Sequence, residues 1–211
     1  MKKRPDLYFE SAMTAPVAGL DEAGCGPWAG VLVAAAVILP NVIPDFIEDV
    51  NDSKKLTRVK REDLFDRIIT NSHISVGVGI VSVAELDELL LRGALPLAFR
   101  RAVETLNQTP ASLLIDGIRN PKLSYPTHMI KQGDQLSLSI ATASIIAKVT
   151  RDRLMDKLHD EYPAYGWGQN AGYGTKMHRD ALDRLGVTPH HRKSYAPIKQ
   201  YILRKILYSL S

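Results

Sequence analysis

Apolar residues along this 211-residue chain fall into short runs separated by longer, polar-studded stretches. Val17-Ala18-Gly19-Leu20 is brief and apolar and ends at Asp21-Glu22. A turn rich in glycine and proline follows (Gly24, Gly26, Pro27), and then Val31-Leu32-Val33-Ala34-Ala35-Ala36-Val37-Ile38-Leu39 runs to Pro40. Apolar, β-branched residues on both sides of a short turn predict two paired strands. Ile74, Val76, Val78 and Ile80 alternate with smaller or polar residues, the period of a third strand. Leu113-Leu114-Ile115, ending at Asp116-Gly117, and His128-Met129-Ile130, followed by Gly133-Asp134, read as two more.

Ser82-Val83-Ala84-Glu85 has the form of a capping box, and Leu86, Leu89 and Leu90 continue it as a helical stripe. Pro96 to Leu106 reads as another helix, and a long one is predicted from about Leu136 to His159. A Gly/Tyr/Trp-rich loop covers Tyr162 to Thr175. The next helix begins near Met177 with Gly186 at its C-cap, and Pro197 to Leu210 has the pattern of a basic amphipathic helix. Strands interleaved with helices predict an α/β fold with a mixed sheet between helices. With no repeat or linker in view, residues 1–196 read as one domain and 197–211 as a helical tail.

Composition narrows the setting. An apolar fraction of 45% excludes a disordered chain. A single cysteine, Cys25, excludes a disulfide framework within the chain and points to a reducing compartment. No apolar segment follows the basic start Met1-Lys2-Lys3-Arg4-Pro5-Asp6, and Val31–Leu39 is too short to span a bilayer. The expectation is a cytoplasmic protein with no membrane partner. The net charge of +4 leans towards a polyanionic partner.

The acids carry the chemistry. Asp21-Glu22, Asp116 and Asp134 each sit at or just past the end of a predicted strand, where sites form in open α/β sheets. Carboxylates gathered there repel one another unless cations neutralise them. Hard divalent ions with oxygen ligands, Mg²⁺ or Mn²⁺, meet that need. The six histidines are scattered without zinc spacing. The plainer alternative is that these acids are loop residues and caps, Asp134 capping the helix after it.

At these residues the chain resembles the ribonuclease HII family, over nearly its whole length. Gly19-Leu20-Asp21-Glu22-Ala23-Gly24-Cys25-Gly26-Pro27 is similar to the family's opening motif, which Ala34-Ala35-Ala36-Val37-Ile38-Leu39 continues. Asn51-Asp52-Ser53-Lys54-Lys55-Leu56-Thr57 resembles its second signature. Ile115-Asp116-Gly117 and Lys131-Gln132-Gly133-Asp134 resemble two later acid motifs. Ala143-Ser144-Ile145-Ile146-Ala147-Lys148-Val149-Thr150-Arg151-Asp152 resembles a helix signature. Gly172-Tyr173-Gly174-Thr175 with His178, and His191-Arg192-Lys193-Ser194-Tyr195, resemble the C-terminal ones.

The resemblance implies a ribonuclease H-like fold and an endoribonuclease acting as a monomer. Its implied substrates are RNA–DNA hybrids and duplex DNA containing ribonucleotides. It implies catalytic metal ligands at Asp21, Glu22, Asp116 and Asp134, holding Mn²⁺ or Mg²⁺. Two ions then flank the scissile phosphate, one activating water and one stabilising the leaving 3′-oxygen. It implies ribonucleotide contacts at Gly24, Cys25 and Gly26, and a ring, Tyr173, under the sugar next to the cut. Lys54 is implied near the substrate strand. Ser144, Lys148 and Arg151 form one stripe of a helix and, with Arg192, are candidates for phosphate contact or for an ordinary solvated face. The family's opening motif carries arginine where this chain has Cys25, so a fixed charge and its fork of donors are missing there. Two other readings stand beside this one: a different metal-dependent nuclease of the same fold, such as a junction resolvase, and a non-catalytic binder of hybrids.

Overall fold

The computed structural model describes residues 4–209, with side chains to Leu207. Met1–Lys3 and Leu210, which the sequence reading assigns to a basic start and to the tail helix, lie outside the described residues. Five strands form one sheet: β1 (Val17–Ala23), β2 (Leu32–Ile38), β3 (Ser75–Val81), β4 (Ser112–Asp116) and β5 (Thr127–Ile130). Their order is β3-β2-β1-β4-β5. β1 pairs antiparallel with β2 and parallel with β4, which pairs parallel with β5. The predicted mixed α/β sheet is therefore present.

Every residue of β2 is buried, the pattern of a strand covered on both faces. β1 is longer than its apolar run. Asp21 and Glu22 lie inside it, opposite Ala35 and Ala34, rather than past its end, because small apolar partners continue the ladder. Gly19 lets a helix approach the backbone of β1: a Cβ there would sit 2.3 Å from Ser139.

The helices are α1 (Tyr8–Ser11), α2 (Arg58–Thr70), α3 (Val83–Glu104), α4 (Leu138–Glu161), α5 (Trp167–Asn170), α6 (Lys176–Leu185) and α7 (Ala196–Ser209). The capping box forms, Ser82 N–H to Glu85 Oε2 at 2.9 Å and Glu85 N–H to Ser82 Oγ at 3.3 Å. The stripe after it does not: Leu86 is buried but Leu89 and Leu90 are exposed. Leu90 has φ 54°, a left-handed break that re-aims α3. The two predicted helices are the halves of this one broken element. Sequence periodicity misses α2, whose exposed Val59 and Ile69 blur the stripe of Leu64, Phe65 and Ile68. Thr57 Oγ1 caps it, accepting from Lys60 N–H. Gly186 ends α6 as predicted, with φ 86°.

The chain forms two compact units. The first comprises the described residues up to Ala23, Val33–Ile80 and Leu95–Thr150. The second comprises Gly24–Leu32, Val81–Ala94 and Arg151 onwards, including the tail helix. The core of the second gathers Ala29, Met155, Tyr165, Trp167, Leu182, Ile198 and Tyr201. Among the described residues no helix is long and apolar enough to cross a membrane.

Candidate active site

In the first unit, three strand-borne or turn-borne acids converge. Asp21 stands on the central strand β1, Asp116 closes β4, and Asp134 lies in the one-turn 3-10 helix Gly133–Gln135 before α4. Each offers a carboxylate oxygen within 4.8 Å of the other two. The local chain enforces this. Asp116 Oδ1 accepts the Gly133 N–H at 2.7 Å, tying the end of β4 to the turn that carries Asp134. Glu22 is outside this trio, although its charge acts on Asp21.

The cluster is electrostatically loaded. Burial, then the charges of Glu22, Asp116 and Asp134, raise the Asp21 carboxyl well above the usual carboxylate range. Burial, with the charges of Asp52 and Asp116, also raises Asp134, against the opposing pull of Lys54. The Lys54 ammonium lies 3.4 Å from Asp134 Oδ2. Burial alone would lower its pKa, but Asp134, Asp21 and Asp52 outweigh that and raise it. Lys54 is thus aimed at the acids. The turn that carries it is fixed by Asp52, which accepts the Lys54 N–H at 2.9 Å, and by buried Ser144, whose Oγ accepts the Ser53 N–H at 3.4 Å. Ser144 therefore braces this turn. Lys148 is half-buried on α4.

In the second unit, two buried arginines hold the Ala29–Val31 segment that follows the Gly24–Cys25–Gly26 turn, and Arg192 also reaches the Cys25 carbonyl at 3.5 Å. Arg151 donates to the carbonyls of Val31 at 3.0 Å, Ala171 at 3.0 Å and Ala29 at 3.2 Å. Arg192 donates to those of Gly30 at 2.8 Å and Val31 at 3.0 Å. The Cys25 carbonyl accepts the Tyr195 hydroxyl at 2.7 Å. Both guanidiniums are almost wholly buried. Burial, then the charge of Arg192, lowers Arg151 to about 10; burial likewise lowers Arg192. At these two candidates for phosphate contact the guanidiniums donate to backbone carbonyls, and Arg192 also to the Tyr195 hydroxyl at 3.0 Å. Gly24 has φ 104°, and a Cβ on it would meet Arg151 Nε at 2.3 Å, so the glycine is required twice over. Tyr173 presents a ring that is 51% exposed. A Cβ on Gly26 would sit 3.3 Å from that ring, so turn and ring are neighbours.

Local patterning holds no signal for Glu10, whose Oε1 accepts from Ser137 Oγ, Ser139 N–H and Ser139 Oγ at the start of α4. It also holds none for Asp87, which accepts from the Lys193 and Ser194 amides. Their partners lie far away in sequence, beyond the reach of local patterns.

The ribonuclease HII family model matches residues 18–198. The chain belongs to the ribonuclease HII family. A ribonuclease HII of Ruegeria pomeroyi is 49% identical, over 97% of this chain and 86% of that protein. The solved ribonuclease H2 of Pyrococcus horikoshii superposes with a TM-score of 0.75 at 27% identity, covering 89% of this chain and 97% of that one. Bst-RNase HIII, solved in complex with Mn²⁺, reaches a TM-score of 0.66 at 17% identity, over 89% of this chain and 69% of that one, a likeness of fold alone. The chain is accordingly a ribonuclease H with the ribonuclease H-like fold, an endoribonuclease that degrades the RNA of RNA–DNA hybrids.

Proposed function

We propose that this ribonuclease HII also cuts on the 5′ side of single ribonucleotides embedded in duplex DNA, by metal-dependent hydrolysis leaving 3′-hydroxyl and 5′-phosphate ends. The observation that carries the reading is the convergence of Asp21, Asp116 and Asp134, with Asp21 buried against like charge. A donor set of carboxylate oxygens suits a hard divalent ion, Mg²⁺ or Mn²⁺. The fold-related Mn²⁺ complex is in keeping with that choice. Asp21, Asp116 and Asp134, with Glu22 beside them, would hold the ions. Two bound ions supply an activated water and a stabilised leaving oxygen.

The chain's own residues do the rest. Asp21 is anchored on the central strand, so its oxygens enter the site at a fixed position. Lys54 neutralises part of the acid charge and is within reach of an incoming phosphate. In the second unit, the Gly24–Gly26 turn can bring backbone groups to a 2′-hydroxyl, the group that separates RNA from DNA. Tyr173 offers a face for stacking against the neighbouring sugar, and Lys148 a cation for the strand's phosphates. Arg151 and Arg192 serve this reading by holding the segment that follows the turn.

The test is cleavage of duplex DNA carrying one ribonucleotide, with Mg²⁺, Mn²⁺ or chelator. Cutting 5′ of the ribonucleotide with either ion, none with chelator and none on all-DNA duplex is the expected result. Cutting that survives chelation, or equal cutting of all-DNA duplex, overturns it.

A further inference from the structure

The second unit contains a chain of hydrogen bonds whose direction is fixed by its end groups. The Thr188 backbone N–H, 2.9 Å from His191 Nδ1, can only donate, so that nitrogen is unprotonated. The Trp167 indole N–H, 3.4 Å from His178 Nε2, can also only donate, so that nitrogen is an acceptor. The two Nε2 atoms lie 3.0 Å apart. Neutral His191 therefore carries its proton on Nε2 and donates it to His178. That leaves the His178 proton on Nδ1, 3.0 Å from the Tyr173 carbonyl, which accepts it. One tautomer of each ring is compatible with every contact, His178 Nε2 being shared by His191 and the longer Trp167 contact. Both imidazoles are fully buried, and burial lowers the pKa of each, that of His191 to about 3.

The chain ends on the residue that presents the exposed ring. The Tyr173 carbonyl also accepts the Thr175 N–H at 2.8 Å, and the Tyr173 N–H donates to Asn170 at 2.9 Å. The peptide units on both sides of the ring are thereby fixed. At the other end, His191 forms an isolated bridge with Ala29, and the His190 carbonyl accepts the Gly30 N–H at 2.9 Å. The imidazole pair thus ends on the Tyr173 loop, while the backbone around His191 meets the return of the Gly24–Gly26 turn.

We propose that His178 and His191 are positioning residues of this enzyme: their one-way hydrogen-bond chain sets the Tyr173 ring beside the Gly24–Gly26 turn and so governs the fit of the ribonucleotide. The proposal rests on Tyr173 being a substrate contact, as read above. Neither histidine touches substrate.

Kinetics on duplex DNA with a single ribonucleotide test it, using the parent, His178→Leu, His178→Asn, Tyr173→Ala and the double variant His178→Leu/Tyr173→Ala. His178→Leu removes donor and acceptor, and KM is expected to rise about tenfold with kcat within about twofold. His178→Asn keeps an N–H near the Nδ1 position and is expected to restore most of the loss. The double variant should be no worse than Tyr173→Ala, because the histidine acts only through that residue. Losses that add in the double variant, or a fall in kcat at constant KM, overturn the proposal alone. Parental kinetics in Tyr173→Ala overturn the reading of Tyr173 as a contact, and this proposal with it. Should His178→Leu fail to fold, side-chain ¹⁵N NMR of the parent decides. Protonation of His178 on Nδ1 and of His191 on Nε2 is the expected result, and any other pair of tautomers refutes the chain.

Discussion

The two units handle charge in opposite ways. The first brings Asp21, Asp116 and Asp134 within 4.8 Å of one another and gives them Lys54 as a partial counterweight. The second buries two cations, Arg151 and Arg192, and surrounds each with backbone carbonyls. Burying like charges together without full pairing costs stability and leaves capacity to bind. Burying a guanidinium in a cage of acceptors consumes that capacity and stabilises the cage. Charge left unsatisfied by the fold marks where a ligand acts; charge fully satisfied marks what holds the ligand's surroundings in shape.

The largest effect expected from this contrast is on catalysis. Asp116→Asn removes one converging carboxylate and should lower turnover on a hybrid substrate on the order of a thousandfold, several kcal/mol of barrier. It should leave the metal-free protein at least as stable as the parent, because it relieves repulsion. A melting curve with and without Mn²⁺ sharpens the point. The parent should be stabilised by the ion, by about 2.7 kcal/mol at a hundred times Kd, and the variant much less. Near-parental turnover would break the assignment.

Arg151→Leu should show the reverse signature. The carbonyls of Val31, Ala171 and Ala29 lose a donor, so unfolding free energy should drop by roughly 2–4 kcal/mol. Metal-induced stabilisation of the acid cluster should persist. Urea melts of the variant with and without Mn²⁺ separate the two quantities, and a variant as stable as the parent would end the cage interpretation.

Cys25→Arg adds a cation that the turn's carbonyls do not consume, since the Cys25 carbonyl already has Tyr195. It should raise kcat/KM on the single-ribonucleotide duplex by at most one charge-assisted contact, about 1.5–3 kcal/mol. Cys25→Ala should behave like the parent. A collapse in Cys25→Ala with no gain in Cys25→Arg would mean that the thiol itself acts.

The effect that disappears at neutral pH is on acid stability. The folded-state pKa of His191 is lowered from 6.5 to about 3. Between those values the unfolded chain binds a proton that the native state does not. Stability is therefore fully present above 6.5 and declines as pH falls towards 3, by about 1.4 kcal/mol per pH unit at most from this residue. His191→Gln should flatten that part of the profile, measured by denaturant titration at a series of pH values.

How far the sequence speaks follows the same division. The strands were legible because β2 is apolar throughout and β4 ends abruptly at Asp116. The acids stood out as candidates through the family resemblance, because a carboxylate near a strand end is as readily a loop residue or a cap. The surroundings of the arginines were not legible: a basic residue looks the same in sequence whether it faces phosphate or a carbonyl cage, and only tertiary structure distinguishes them. The break at Leu90 had no marker, since leucine is a poor choice for φ 54°. The pairing of His178 with His191 was equally hidden, because it depends on how the chain returns to Ala29 and Gly30.

The central place of β1 also sets an order in time. β1 pairs with β2, its immediate successor, and can do so early in synthesis. Its other edge waits for β4, and the turn bearing Asp134 waits for β5. Non-local parallel pairing of this kind forms late and slowly. Completing the acid cluster is therefore tied to the slower, non-local pairings rather than to the local β1–β2 ladder that carries Asp21.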